Sequence, residues 1–296
     1  MRKRMFTLIL SAALALSLTA CGEPTQTPIE GGGSGAVSQS EPQPAETAVT
    51  ITPDTVLMDE GGLVITAKEF VVDELWGPGV KVLVENKSDK NLSVSCNSMS
   101  VNGYMVSDLL FVSNVAAGKK ANETLFFSQD DLKKAGITTV ADVRVSFHVY
   151  DSDSYSGVCD TDEIQLKTSA FGTVEQPAKD DGKELYNQNG VRIVGKYVEE
   201  DSFWGAGVLL FMENTTDQDV IIQCDDMSIN GFMVDPLFSS TVNDHRMALS
   251  EITVLSGDLE ANGIQSVDEV ELTFRIMKAS NYHTIAETGP VSFTTK

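Results

Sequence analysis

The chain is poor in the residues that most often carry chemistry: its 296 residues include three His, four Cys and two Trp. None of the His stand at His-x-x-x-His or a related spacing, so no zinc motif is present. Four Cys in a 31.9 kDa chain cannot build the dense disulfide framework of a small secreted domain. Positive charge is scarce too, with 21 Lys+Arg against 43 Asp+Glu and a net charge of −22. Beyond Arg2, Lys3 and Arg4 there is no basic cluster. A nucleic-acid partner, whose phosphates must be neutralised, is therefore not expected. No Gly-x-Ser-x-Gly elbow occurs, and the glycine-rich run Gly31 to Gly35 neither follows a strand nor opens a helix. These gaps point away from an enzyme and imply no cofactor.

The N-terminus is more informative. Arg2, Lys3 and Arg4 precede an apolar run from Met5 to Leu18, closed by Leu18-Thr19-Ala20-Cys21. A run of fourteen residues is too short for a span, which needs about 20. A basic head, a short apolar run and small residues before a cut describe a secretory signal. Leu-Thr-Ala-Cys followed by Gly22 resembles the lipobox of bacterial lipoproteins. That resemblance implies cleavage after residue 20, lipidation of Cys21 and attachment to the extracytoplasmic face of the cell membrane. Loss of residues 1–20 removes three positive charges and no acidic one, so −22 becomes −25. Such an acidic body gains nothing from an anionic bilayer, and the lipid must do the holding. Residues 21–50, with four Pro, a Gly-rich run and no apolar periodicity, read as a disordered tether.

Past residue 50 the chain repeats itself. Trp76-Gly77-Pro78-Gly79-Val80 returns 128 residues later as Trp204-Gly205-Ala206-Gly207-Val208, and Glu85-Asn86 as Glu213-Asn214. Cys96 to Val106 matches Cys224 to Val234 at seven of eleven positions. A period this long means a duplicated domain, not a solenoid. The expected units are residues 51–168 and 183–296, joined by a linker at 169–182.

Each unit reads as all-β. Val80, Val82 and Val84 alternate with their neighbours, as do Val143, Val145, Phe147 and Val149. In the second copy Val208, Leu210 and Met212, then Val270, Leu272, Phe274 and Ile276, repeat the pattern. Asn102-Gly103 and Asn230-Gly231 predict type I′ hairpin turns. Asp130 to Ala135 predicts one short helix capped by Gly136, with Ile137 folding back on Leu132. Leu259, Gly263 and Ile264 preserve those positions. Seven to nine short strands with one crossover helix favour two tandem immunoglobulin-like β-sandwich domains over a closed barrel. The whole layout looks like that of Gram-positive surface lipoproteins carrying immunoglobulin-like domains, a likeness that brings no catalytic motif.

The duplication sorts the remaining candidates, because what a fold needs twice is usually structural. His148, His245 and His283 align with Arg275, Gly118 and Ser156. Cys96 and Cys224 are matched and fall on the inward strand face; Cys159 is unmatched, which leaves a Cys96–Cys159 bridge open. Asp151, Asp153, Asp160 and Asp162, in a Ser- and Gly-containing loop, are the best candidate Ca²⁺ ligands. They fit an EF-hand poorly and are missing from the second copy, where Lys278 to Tyr282 carries no carboxylate. A solvated hairpin tip is the simpler account, and Asp225-Asp226 invites the same one. Trp76 and Trp204, Met99 and Met227, Met105 and Met233, and Tyr104 and Phe232 are expected to fill cores. The function expected is a non-catalytic interaction or envelope-associated role, with a small-molecule or Ca²⁺-binding lipoprotein as the alternative. Beyond the membrane reached through the anchor, partners would be cell-wall polymer or another surface protein.

Overall fold

The structure, a computed structural model, describes residues 26–28, 48–107, 109–202 and 204–295. A short strand, β1 (Gln26–Pro28), lies ahead of the first domain. That domain holds β2 (Thr55–Glu60), β3 (Leu63–Asp73), β4 (Gly77–Asn86), β5 (Leu92–Val101), β6 (Tyr104–Met105), β7 (Val112–Val115) and β8 (Lys120–Phe126). Helix α1 (Gln129–Lys134), β9 (Asp142–Asp151), β10 (Gly157–Asp160) and β11 (Ile164–Lys167) complete it. The second holds β12 (Lys183–Gln188), β13 (Val191–Ser202), β14 (Gly205–Asn214), β15 (Val220–Ile229), β16 (Phe232–Val234), β17 (Pro236–Leu237), β18 (Ser239–Val242) and β19 (Arg246–Leu255). Helix α2 (Ser256–Ala261), β20 (Glu269–Lys278), β21 (Thr284–Glu287) and β22 (Val291–Thr294) close the chain.

Both domains follow one Greek-key path. In the first, β2-β3-β4-β8 form one sheet, while β7 and β6, β5, β9, and β10 with β11 form the other. In the second, β12-β13-β14-β19 face β16 and β18, β15, β20, and β21 with β22. In the first domain the chain crosses between sheets after β4, β7 and β8, and the last crossing carries the helix. That is the immunoglobulin-like order with one strand added at the front. Among the described residues neither pair of sheets closes into a barrel.

The local devices read from the sequence are in place. Asn102 and Gly103 have φ of 49° and 86°, and Asn230 and Gly231 have 52° and 81°, as a type I′ turn requires. Each Asn does more than turn. Asn102 donates to the Thr139 carbonyl and accepts from the Ala141 and Asp142 amides; Asn230 does the same with Ser266, Asp268 and Glu269. The hairpin is thereby tied to the crossover segment at one end of each sandwich. Ile137 N–H donates to the Leu132 carbonyl at 2.8 Å and Ile264 N–H to that of Leu259 at 2.9 Å, the long Schellman bond past Gly136 and Gly263.

The repeated Glu-Asn also has a physical cause. Asn86 is buried, donates to the Lys90 and Val115 carbonyls and accepts from Ser88; Asn214 repeats this with Gln218, Val242 and Thr216. In the Trp-Gly-x-Gly motif the glycines are the constrained residues. Gly205 has φ of 143°, and a Cβ there would strike the Val254 carbonyl oxygen.

One expectation changes within the tether. Gln26–Pro28 pairs antiparallel with β13, Gln26 opposite Glu199 and Pro28 opposite Tyr197. Strand β12 covers only Val191 to Gly195 of β13, which leaves the next stretch of edge open to a partner. Pro28, with no N–H to donate, suits an outermost strand.

Candidate functional site at the domain junction

The two domains are docked, and the dock shapes a cleft. The β5–β6 hairpin of the first domain reaches the edge of β19, where Tyr104 pairs in parallel with Met247 and the Met247 amide donates to the Gly103 carbonyl at 2.9 Å. This single bridge joins the sheets of the two domains into one path. Tyr104 packs edge-on against Phe211 with ring centroids 6.5 Å apart. Leu209 at 3%, Phe211 at 0% and Leu249 at 8% exposure belong to the same apolar cluster as the core of the first domain.

The connecting segment locks the dock. The Tyr104 hydroxyl donates to the Pro177 carbonyl and accepts from the Lys179 amide at 2.7 Å. Burial pushes the Tyr104 phenol up to about 12. Gln176 donates to the Ala135 carbonyl at the end of α1, and Lys196 donates to the carbonyls of Lys179 and Asp181.

Beside the dock lies a cleft of about 690 Å³ walled by both domains. Asn243 donates to the Ser98 hydroxyl at 2.8 Å and Arg246 to the Ser100 hydroxyl at 3.2 Å. Glu163 accepts from Arg246 at 2.7 Å and from Arg144 at 3.0 Å, so both guanidinium groups are engaged. Burial alone would lower the Arg144 pKa, but its bonds to Glu163 and Asp142 outweigh that and raise it. What the walls present is therefore uncharged or acidic: Asn97, Thr161, Asp162, Asp219, Thr241 and Asp244, over an apolar floor that includes Leu249 and Ile221. Tyr282, exposed and held at φ 59°, stands at the rim. The surface suits hydroxyl, amide or amine groups and is hostile to phosphate or sulfate.

The residues singled out from sequence distribute differently. Cys21 lies outside the described residues. Asp151 accepts from the Asp153 and Ser154 amides, Asp153 accepts from Asn91, and Asp160 faces His148 Nδ1 at 2.6 Å. Of the four candidate ligands only Asp162 reaches the cleft. Among the described residues no group of three or more His, Cys, Asp or Glu is arranged to hold a metal ion.

Cys96, Cys159 and Cys224 are free. A Cys96–Cys159 bridge is ruled out by register: Cys96 pairs with Phe147 and Cys159 with Val149, so β9 runs between them. Two strand spacings, about 9–10 Å, exceed the reach of a disulfide. Burial raises the Cys96 and Cys224 thiols to about 12, which leaves them inert.

Met99 and Met227 are buried, as expected. Trp76 and Trp204 are not: both are exposed, Trp76 stacking on Phe126 at 6.2 Å. The motif recurs for its glycines and the tryptophans travel with it. Tyr104 is buried, yet against the neighbouring domain, while its counterpart Phe232 and the adjacent Met233 face solvent.

No protein-family model matches the sequence, and no curated protein matches it either. Among solved structures the chain is similar to the YadV chaperone, at 13% identity and a TM-score of 0.24, over 77% of this chain and 98% of that one. A Salmonella enterica SafA pilin–SafB chaperone complex gives 10% and 0.18 over 73% and 88%, and a Porphyromonas gingivalis protein of unknown function 10% and 0.20 over 78% and 92%. At such scores the likeness carries no functional argument.

Proposed function

We propose that this chain is a non-catalytic binding lipoprotein of the cell surface, held at the extracytoplasmic face through Cys21, that grips a strand of hydroxyl- and amide-bearing cell-wall polymer in the interdomain cleft. The observation that carries the reading is the cleft itself: two domains build it, its polar walls offer hydroxyls, amides and carboxylates, and the neighbouring Arg144 and Arg246 are spent on Glu163. Mixed donors and acceptors above an apolar floor match a neutral polyol better than an anion. The membrane half of the reading is supported by the basic head, the apolar run and the Leu-Thr-Ala-Cys motif.

Co-sedimentation of the chain from residue 22 onward with purified cell-wall material tests the cleft. Binding should be lost when the exposed wall residue Thr241 is replaced by Trp to fill the space. Binding that survives Thr241→Trp unchanged would place the contact elsewhere, and no binding to the polymer at all would leave a surface protein as the better partner. Mass spectrometry of the mature protein tests the anchor, since the chain should begin at Cys21 and carry acyl mass.

A further inference from the structure

We infer that the end of the second domain bearing α2 is a membrane-contact surface, seated on the bilayer that holds the anchor; this rests on the lipoprotein reading above. Three observations meet there.

The first is apolar exposure. Trp204 (63% exposed), Phe232 (49%), Met233 (63%), Leu237 (55%) and Leu255 (40%) are all large apolar side chains open to solvent. They share one end of the sandwich. Gly205 pairs with Leu255, and Leu237 pairs with Thr253 close by on β19. Helix α2 then carries the chain from the end of β19 to the start of β20, where Val270 pairs with Ile229 beside the Phe232–Val234 strand.

The second is the fate of the same end in the first domain. There Tyr104 and Met105, the counterparts of Phe232 and Met233, are pressed onto the second domain. In the first domain this hairpin is covered, although Trp76 beside it stays exposed; in the second, Phe232 and Met233 remain open among the described residues.

The third is the place of the anchor. Strand β1 runs antiparallel to β13, so the chain enters Gln26 from the side of Ser202 and the β13–β14 turn that carries Trp204. Glu199, the partner of Gln26, is only about 10 Å of strand from Ser202. Cys21 lies five residues before Gln26, a reach of about 17 Å at full extension. A lipid on Cys21 therefore holds the α2 end within a short distance of the bilayer, in place of a body swinging on the whole of residues 21–50. The same end carries Asp235, Asp258 and Glu260, so headgroup charge gives no attraction. Contact comes from apolar burial, with Trp204 at the interfacial depth tryptophan favours.

The test reconstitutes the lipidated full chain carrying Trp76→Phe, with Trp204 as its sole tryptophan, into phosphatidylcholine vesicles containing bromine-labelled acyl chains. The expected result is blue-shifted Trp204 emission that the brominated lipid quenches. Protein that floats with the vesicles while Trp204 stays unshifted and unquenched overturns the inference and leaves the anchor standing. Protein that does not float removes both. The unaltered protein gives an independent reading: peroxide oxidation of Met233 should slow on vesicles relative to the unlipidated chain in solution, and equal rates would contradict the contact.

Discussion

The two domains share an interior and differ outside. On β4 the outward positions are Lys81, exposed, and Leu83, half-buried; on β14 their counterparts are Leu209 and Phe211, both buried. Across the sheet Asn122 on β8 stands where Leu249 stands on β19. The second domain has thus made the outer face of one sheet apolar and accepts the first domain on it. The hairpins differ in the complementary sense, since Tyr104 is the plug and Phe232 is left open. Duplication preserved what each sandwich needs inside and left the exteriors free to become a dock, a cleft wall or a contact with a third body.

The largest expected contrast is between Phe211 and its counterpart. Phe211→Ala should cost about 3–5 kcal/mol by denaturant unfolding, because a fully buried ring is lost at the dock. Leu83→Ala should cost about 1 kcal/mol or less. Similar losses at the two sites would erase the proposed asymmetry.

The interior should behave symmetrically. Asn86→Ala and Asn214→Ala each strand one buried carbonyl, that of Val115 or Val242, and remove a partly buried bond, and each should cost about 2–3 kcal/mol in its own domain. A large effect in only one domain would show that the shared network matters in one copy alone.

A smaller contrast concerns pH. The Tyr104 phenol is raised from 10.0 to about 12 in the folded chain. The folded state holds that proton more tightly than the unfolded state does. Its contribution is therefore complete below pH 10 and is lost as pH rises from 10 toward 12. Tyr104→Phe should flatten part of the stability loss across that window, as followed by unfolding curves at successive pH values. Phe232→Tyr, at the exposed counterpart, should leave the window unchanged. Smallest of all, Lys81→Ala breaks only the exposed pair with Glu69 and should change stability by no more than about 0.5 kcal/mol.

Much of this architecture was legible from residues alone. Alternation marked the strands, Asn-Gly the hairpins, and Leu-Gly-Ile the capped helix, because each is a local rule with a local signature. The dock was less visible, though Val208-Leu209-Leu210-Phe211-Met212 held a clue: an unbroken apolar run signals burial on both faces of a sheet, where strict alternation signals one. The Trp-Gly-x-Gly repeat misled in the other direction, since its glycines are needed twice and its tryptophans are exposed twice. Strand β1 left no trace, because three residues paired through backbone atoms need no side-chain pattern. The cleft draws on strands and loops of both domains, so no local spacing could reveal it.

The central claim, that the first domain's hairpin is seated on the edge of β19, is tested most directly by hydrogen exchange at one amide. Met247 N–H points away from β14 and bonds to the Gly103 carbonyl of the other domain. In the intact chain it should be strongly protected, and Tyr104→Ala should bring its exchange close to that of an open strand edge. An unprotected Met247 amide in the intact, folded chain would mean that the two domains do not dock this way.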